Sequence, residues 1–126
     1  MEILCQVSLG ELVDKMTILK IKTERIKDNS KVLLAQAEFD ALKETLTKLK
    51  LDGIESYFNE LKTVNEKLWV IEDDIRNCEA QKRFDGEFID LARSVYKTND
   101  ERFRVKNSIN MKYNSGIKEV KSYEDY

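Results

Sequence analysis

Four long stretches of this sequence repeat apolar residues every three or four positions, and no proline interrupts any of them. Such spacing places apolar side chains along one face of an α-helix, and proline is the residue that most strongly disrupts a helix interior. The first stretch runs from Ser8 to Asp28. Its main apolar seam comprises Leu9, Leu12, Met16, Leu19, Thr23 and Ile26. The sequence therefore predicts an all-α chain.

The boundaries of the helices are marked by capping and turn residues. Ser8 is followed three residues later by Glu11, which is the pattern of a capping box at a helix N-terminus. Turns are predicted at 28–30, 52–53, 85–86 and 114–116, each containing Asn, Asp, Ser or Gly. Helix 3 then spans about 54–82 and helix 4 about 87–113. We expect one domain over 1–126, folded as an up-down four-helix bundle.

The two ends of the chain show a different pattern. Ile3, Cys5 and Val7 alternate with their neighbours, and residues 117–123 alternate as well. Alternation is typical of a β-strand. The sequence leaves two alternatives open here, which are a short two-stranded ribbon joining the termini and two extended tails.

Composition excludes several classes of function. The chain has 22 basic and 24 acidic residues and a net charge of -2, so it lacks the basic excess of a nucleic-acid binder. No apolar run approaches the roughly 20 residues that span a bilayer. The absence of histidine excludes histidine triads and histidine metal sites. Two cysteines far apart, Cys5 and Cys78, indicate free thiols and a cytoplasmic, reducing environment.

Some polar residues fall inside the apolar arcs of the last two helices. They are Asn65 and Glu72 on helix 3, and Asn99, Arg102 and Lys106 on helix 4. An antiparallel hairpin of these helices would place Glu72 level with Asn99, one turn from Arg102. The layer would also contain Thr23 of helix 1, and Arg76 would pair with Glu72 at i+4. The candidate ligand-binding residues are therefore Glu72, Arg76, Asn99, Arg102, Lys106 and Thr23.

Three interpretations of this polar layer stay open. Buried polar groups can fix the register of packed helices. Long basic side chains can instead reach water at the edge of a dimer. The third interpretation is a ligand pocket between helices, which is a common location in bundles.

Carboxylates supply the candidates for a metal site. Glu11 and Asp14 lie three residues apart on helix 1, and Glu72 lies on helix 3. All-helical nucleotide pyrophosphohydrolases hold Mg²⁺ with acids from two helices. The pair Glu11 and Asp14 is similar to the first half of such a motif, but Ile75 stands where the second half needs an acid. We expect Mg²⁺ only if the chain is a pyrophosphohydrolase-like protein. Otherwise the sequence predicts no cofactor.

Three segments of the chain resemble a known family. They span 7–19, 68–76 and 88–100. They are similar to a small family of uncharacterised proteins from bacteria and cyanobacterial phages, defined as a domain of unknown function. The likeness extends over nearly the whole chain, including residues 121–123, and implies a single domain. It implies no activity and no catalytic residue.

Two hypotheses for function follow. Helix 1 carries apolar groups on two faces, with Ile18 and Ile21 opposite the main seam, as expected for a helix contacted on two sides. We therefore expect a non-enzymatic helical interaction module that forms a homodimer or binds another protein. The alternative is a small-molecule or nucleotide-binding bundle that uses the polar layer, with a pyrophosphohydrolase-like reaction if Mg²⁺ is bound.

Overall fold

A computed structural model describes residues 1–126. The chain forms four α-helices and no strand. The helices are α1 (Leu9–Arg25), α2 (Asn29–Lys48), α3 (Ile54–Ala80) and α4 (Gly86–Lys112). The predicted all-α four-helix bundle is confirmed. The Ser8 hydroxyl accepts a hydrogen bond from the Glu11 amide at 3.1 Å, so α1 begins at the predicted cap.

Helix α1 lies at the centre of the bundle. It packs against each of the other three helices. Helix α2 packs mainly against α1 and also contacts α3, where the Phe39 ring meets the Phe58 ring edge-on at 6.4 Å between centres. Helix α3 packs most closely against α4. One core forms where Val13 meets α3 and α4, with Ile54, Leu61, Val105 and Ile109. A second core forms where Met16 and Leu19 meet α2, with Ala35 and Phe39.

This arrangement accounts for the two apolar faces of α1. Met16 and Leu19 are buried towards α2, whereas Val13 is buried towards α3 and α4. Ile21 on the second face is also buried, and Ile18 is half-buried. The chain itself covers both faces, so they give no support to the predicted dimer.

Of the two alternatives for the termini, the two-stranded ribbon is wrong, because neither terminus forms a strand. Residues 1–7 are all exposed. The C-terminal tail, which we define as residues 117–126, lies instead along α4. Its alternation has a different cause: Glu119 and Lys121 are half-buried towards α4, while residues 118, 120 and 122 point to solvent.

Helices α1 and α4 approach most closely at Gly10. The Gly10 amide donates a 2.7 Å hydrogen bond to Oδ1 of the buried Asn110 side chain. A Cβ atom at position 10 would lie only 2.6 Å from the backbone oxygen of Lys106. Glycine is therefore required here because any side chain would push the two helices apart.

Two further predictions concern membrane-spanning helices and the two cysteines. None of the four helices is both long and apolar enough to cross a membrane. Cys78 is buried and Cys5 is exposed, and both are free thiols, as predicted.

The substitution Gly10→Ala is predicted to destabilise the fold by about 1–3 kcal/mol, because overpacking forces a backbone shift between α1 and α4. Gly86→Ala is the matched control, since its Cβ would meet nothing within 4 Å. The control should be neutral or stabilising by up to about 1 kcal/mol. Urea unfolding followed by circular dichroism measures both. Equal effects of the two substitutions would contradict the close approach at Gly10.

Candidate functional site

A row of polar contacts joins α1 to α4, and we call it the polar ladder. Its three α4 residues, Arg102, Lys106 and Asn110, are four residues apart and therefore lie on one face of the helix. They bind Asp14, Glu11 and the Gly10 amide of α1, respectively. The order of the contacts runs oppositely in the two helices, so α1 and α4 are antiparallel.

The Asp14 carboxylate is the most deeply buried charge of the ladder, with 1% of the residue exposed. Arg102 binds it in a bidentate manner, with Nε at 2.8 Å and Nη2 at 2.6 Å from its two oxygens. Asn65 of α3 donates to Asp14 Oδ1 at 3.0 Å and to the Thr17 hydroxyl at 2.8 Å. The hydrogen bond with Asp14 raises the pKa of Arg102 above its ordinary value, so the guanidinium stays charged.

The Lys106 ammonium is held between two acids. Its side chain is only 7% exposed, and Nζ lies 2.9 Å from an oxygen of Glu11 and 2.9 Å from an oxygen of Glu119 in the tail. The Glu11 contact is a hydrogen bond, whereas the Glu119 contact lacks hydrogen-bond geometry. Burial lowers the pKa of Lys106, but the two carboxylates outweigh it and the pKa is raised.

A cleft of about 740 Å³ lies beside the ladder, between α4 and the C-terminal tail. Arg102 and Lys106 form part of its wall, together with Asn99. Four aromatic side chains also line it. They are Tyr96 and Phe103 on α4, and Tyr123 and Tyr126 on the tail. The cleft therefore combines the buried Lys106 and the half-buried Arg102 with aromatic rings.

A second cavity of about 300 Å³ lies between α1 and α3. Glu72, Arg76 and Trp69 line it, and Arg102 also reaches it from α4. Arg76 Nε lies 3.3 Å from a Glu72 oxygen, which confirms the predicted i, i+4 pair. Arg102 is thus the residue that both cavities share.

The predicted polar layer is divided between these two cavities. Asn99, Arg102 and Lys106 line the cleft, while Glu72 and Arg76 line the smaller cavity. The placement of Thr23 in the layer is wrong, because its hydroxyl donates to the Lys20 carbonyl of its own helix at 2.6 Å. Thr23 lines neither cavity.

The three metal candidates do not form a common site. Glu11 and Asp14 are bound by Lys106 and Arg102, and Glu72 pairs with Arg76. No group of three acids or cysteines in the structure could hold a metal ion. Each candidate carboxylate already has a cationic partner, so the charge that would attract Mg²⁺ is compensated.

Several important residues were not among the candidates. Asn110 of the polar ladder and Thr17 beside Asn65 are fully buried. The tail residues Glu119, Lys121 and Tyr126 line the cleft. The four-residue spacing of Arg102, Lys106 and Asn110 was a usable signal. No comparable signal marked the tail, because its contacts depend on how the chain turns back after α4.

The sequence was compared with known proteins. It matches the family described as "Family of unknown function (DUF6165)" over residues 3–126. No curated protein and no solved structure matches.

The substitution Asp14→Asn is predicted to cost roughly 3–5 kcal/mol of folding free energy, because it leaves the Arg102 guanidinium without its carboxylate in a buried position. Glu38→Gln is the matched control, since Glu38 forms an exposed pair with Lys15 at 2.8 Å. Exposed pairs contribute about 1 kcal/mol or less. Thermal and urea unfolding measure both variants. A loss for Asp14→Asn no larger than that of the control would contradict the assigned role of the pair.

Proposed function

The chain belongs to this family of unknown function, and we propose that it is a ligand-binding bundle whose cleft between α4 and the tail holds a small organic anion with an aromatic or planar part. The ligand is bound without being chemically altered. The observation that carries the proposal is the position of the half-buried Arg102 and the buried Lys106 beside aromatic rings in one cleft.

Both cations have hydrogen-bond donors to spare. Arg102 uses Nε and Nη2 for Asp14, which leaves Nη1 free, and its side chain is 26% exposed. Lys106 hydrogen-bonds Glu11 with one of its three protons. An arginine fork that is already fixed by a carboxylate loses little side-chain entropy when it binds a second anion. The wall of the cleft is therefore preorganised for a carboxylate or a phosphate.

The aromatic residues suit the remaining part of such a ligand. Phe103 lies one residue beyond Arg102, and Tyr96 lies six residues before it, with both side chains facing the cleft. Flat rings bind planar groups by stacking and by edge contacts. A nucleotide or an aromatic acid fits this combination of anion and ring.

An anion can bind beside the acids of the cleft only by taking the place of one of them. Glu119 of the tail is that acid, with an oxygen 2.9 Å from Nζ of Lys106. An anionic ligand can take the place of Glu119 on Lys106, so the number of negative groups around the ammonium is unchanged. The exchange leaves no buried charge without a partner, which is the condition that buried charges must satisfy.

A panel of nucleotides, aromatic carboxylates and phosphorylated metabolites tests this function by thermal shift. A ligand at about 100 times its Kd stabilises the fold by about 2.7 kcal/mol, which raises the Tm by roughly 6–12 °C for a chain of this size. Lys106→Gln and Tyr96→Leu should each remove the shift. Lys97→Gln is the control, because Lys97 is exposed and outside the cleft. No shift with any compound of the panel would contradict the proposal.

Self-association is a second candidate function, and one observation favours it. Leu33 and Leu34 on α2 are 62% and 74% exposed, and Ala37 and Ala41 are exposed beside them. These four residues fall within about 100° of the helix circumference. Because no other helix of the chain covers these four side chains, this small apolar face is free to meet a second copy.

Multi-angle light scattering at micromolar to millimolar concentration tests the second candidate. A dimer that Leu33→Gln with Leu34→Gln converts to a monomer would support an α2 interface. The control is Val70→Gln, which removes an exposed apolar residue on α3 instead. A wild-type chain that stays monomeric over this range would exclude self-association through α2.

A further inference from the structure

The C-terminal tail contacts α4 through side chains at defined positions. Glu119 pairs with Lys106. Lys121 donates to the Asn99 carbonyl at 3.4 Å, and its Nζ lies 5.2 Å from the centre of the Phe103 ring. These contacts use the charged and aromatic groups of α4 that line the cleft, and the tail itself forms the opposite wall.

The end of the tail repeats this mode of binding. The Tyr126 ring packs edge-on against Tyr96, with 5.2 Å between the ring centres. Its hydroxyl donates a short hydrogen bond to Asp100. The tail thus presents a carboxylate, an ammonium group and an aromatic ring to α4.

The tail adds nothing to the apolar cores of the bundle. Ser115 is anchored, because its hydroxyl accepts from the Leu9 amide at 3.3 Å and its amide donates to the Asn110 carbonyl at 2.8 Å. The Ser115 hydroxyl also donates to the Ile117 carbonyl at 2.8 Å, so the first residue of the tail is tied to this anchor. Neither apolar core contains a residue beyond Tyr113. Displacement of the residues after Ile117 would therefore remove no core contact.

Building on the ligand site proposed above, we infer that the tail, residues 117–126, covers the binding groups of α4 and that the ligand enters the cleft by displacing this wall. Glu119 holds the place of the ligand's anionic group on Lys106, and Tyr126 holds the place of its ring beside Tyr96. The face of α4 consequently recognises a peptide of this sequence, whether it is attached to the chain or supplied separately.

A fluorescein-labelled peptide with the sequence of residues 117–126 tests this inference by fluorescence anisotropy. The full chain is compared with a variant that carries Glu119→Gln, Lys121→Gln and Tyr126→Ser. These substitutions remove the side-chain contacts of the tail with α4. The peptide should bind the variant at least about ten-fold more tightly than the wild-type chain, which corresponds to about 1.4 kcal/mol. A peptide of scrambled sequence is the control, and unchanged circular dichroism shows that the variant is folded.

Adding Lys106→Gln to the variant should weaken peptide binding, whereas adding Lys97→Gln should not. Equal binding to wild type and variant, binding to neither, or equal binding of the scrambled peptide would each overturn the inference. The outcome is distinguishable from that of the proposed function. A peptide that binds while every small molecule fails would retain the tail site and reject the organic anion, and the reverse result would reject the tail as occupant.

Discussion

The bidentate pair of Asp14 and Arg102 is the interaction on which the rest of the structure depends. A carboxylate buried to this extent is tolerated only when it is paired and hydrogen-bonded, and Arg102 with Asn65 meets both conditions. The pair fixes the register of α4 against α1. Because the contacts are antiparallel, the same register brings Lys106 to Glu11 and Asn110 to the Gly10 amide. A one-residue shift of α4 would break all of these contacts together.

The cleft is a consequence of that register. The ladder turns the cationic side chains of α4 towards one edge of α1, and the aromatic residues of α4 follow them on the same side of the helix. Glu11 illustrates the priority of tertiary contacts: the Ser8 hydroxyl caps α1 as the sequence predicts, but the Glu11 carboxylate binds Lys106. The half-buried Arg102, the buried Lys106 and the aromatic rings thus share one edge of the bundle, opposite the C-terminal tail.

Sequence reasoning predicted the parts of this protein that follow from local pattern. Helix periodicity and turn residues were sufficient to predict four helices packed as a bundle, and the pattern-breaking residues Arg102 and Lys106 do line the cleft. The wrong predictions all concern distant pairing. Thr23 was placed by assuming equal heights along an ideal bundle, whereas α1 contacts three helices at once. The terminal ribbon failed because alternation in the tail reflects side-chain contacts with a helix, which a one-dimensional pattern does not distinguish from strand pairing.

A double-mutant cycle between Asp14 and Arg102 tests the central claim most directly. The free energy of unfolding is measured for wild type, Asp14→Asn, Arg102→Gln and the double variant. If the two side chains form the register-fixing pair, their coupling energy lies in the upper part of the range of about 0.5–3 kcal/mol found for residues in contact. Additive losses, with a coupling energy below about 0.5 kcal/mol, would contradict the account.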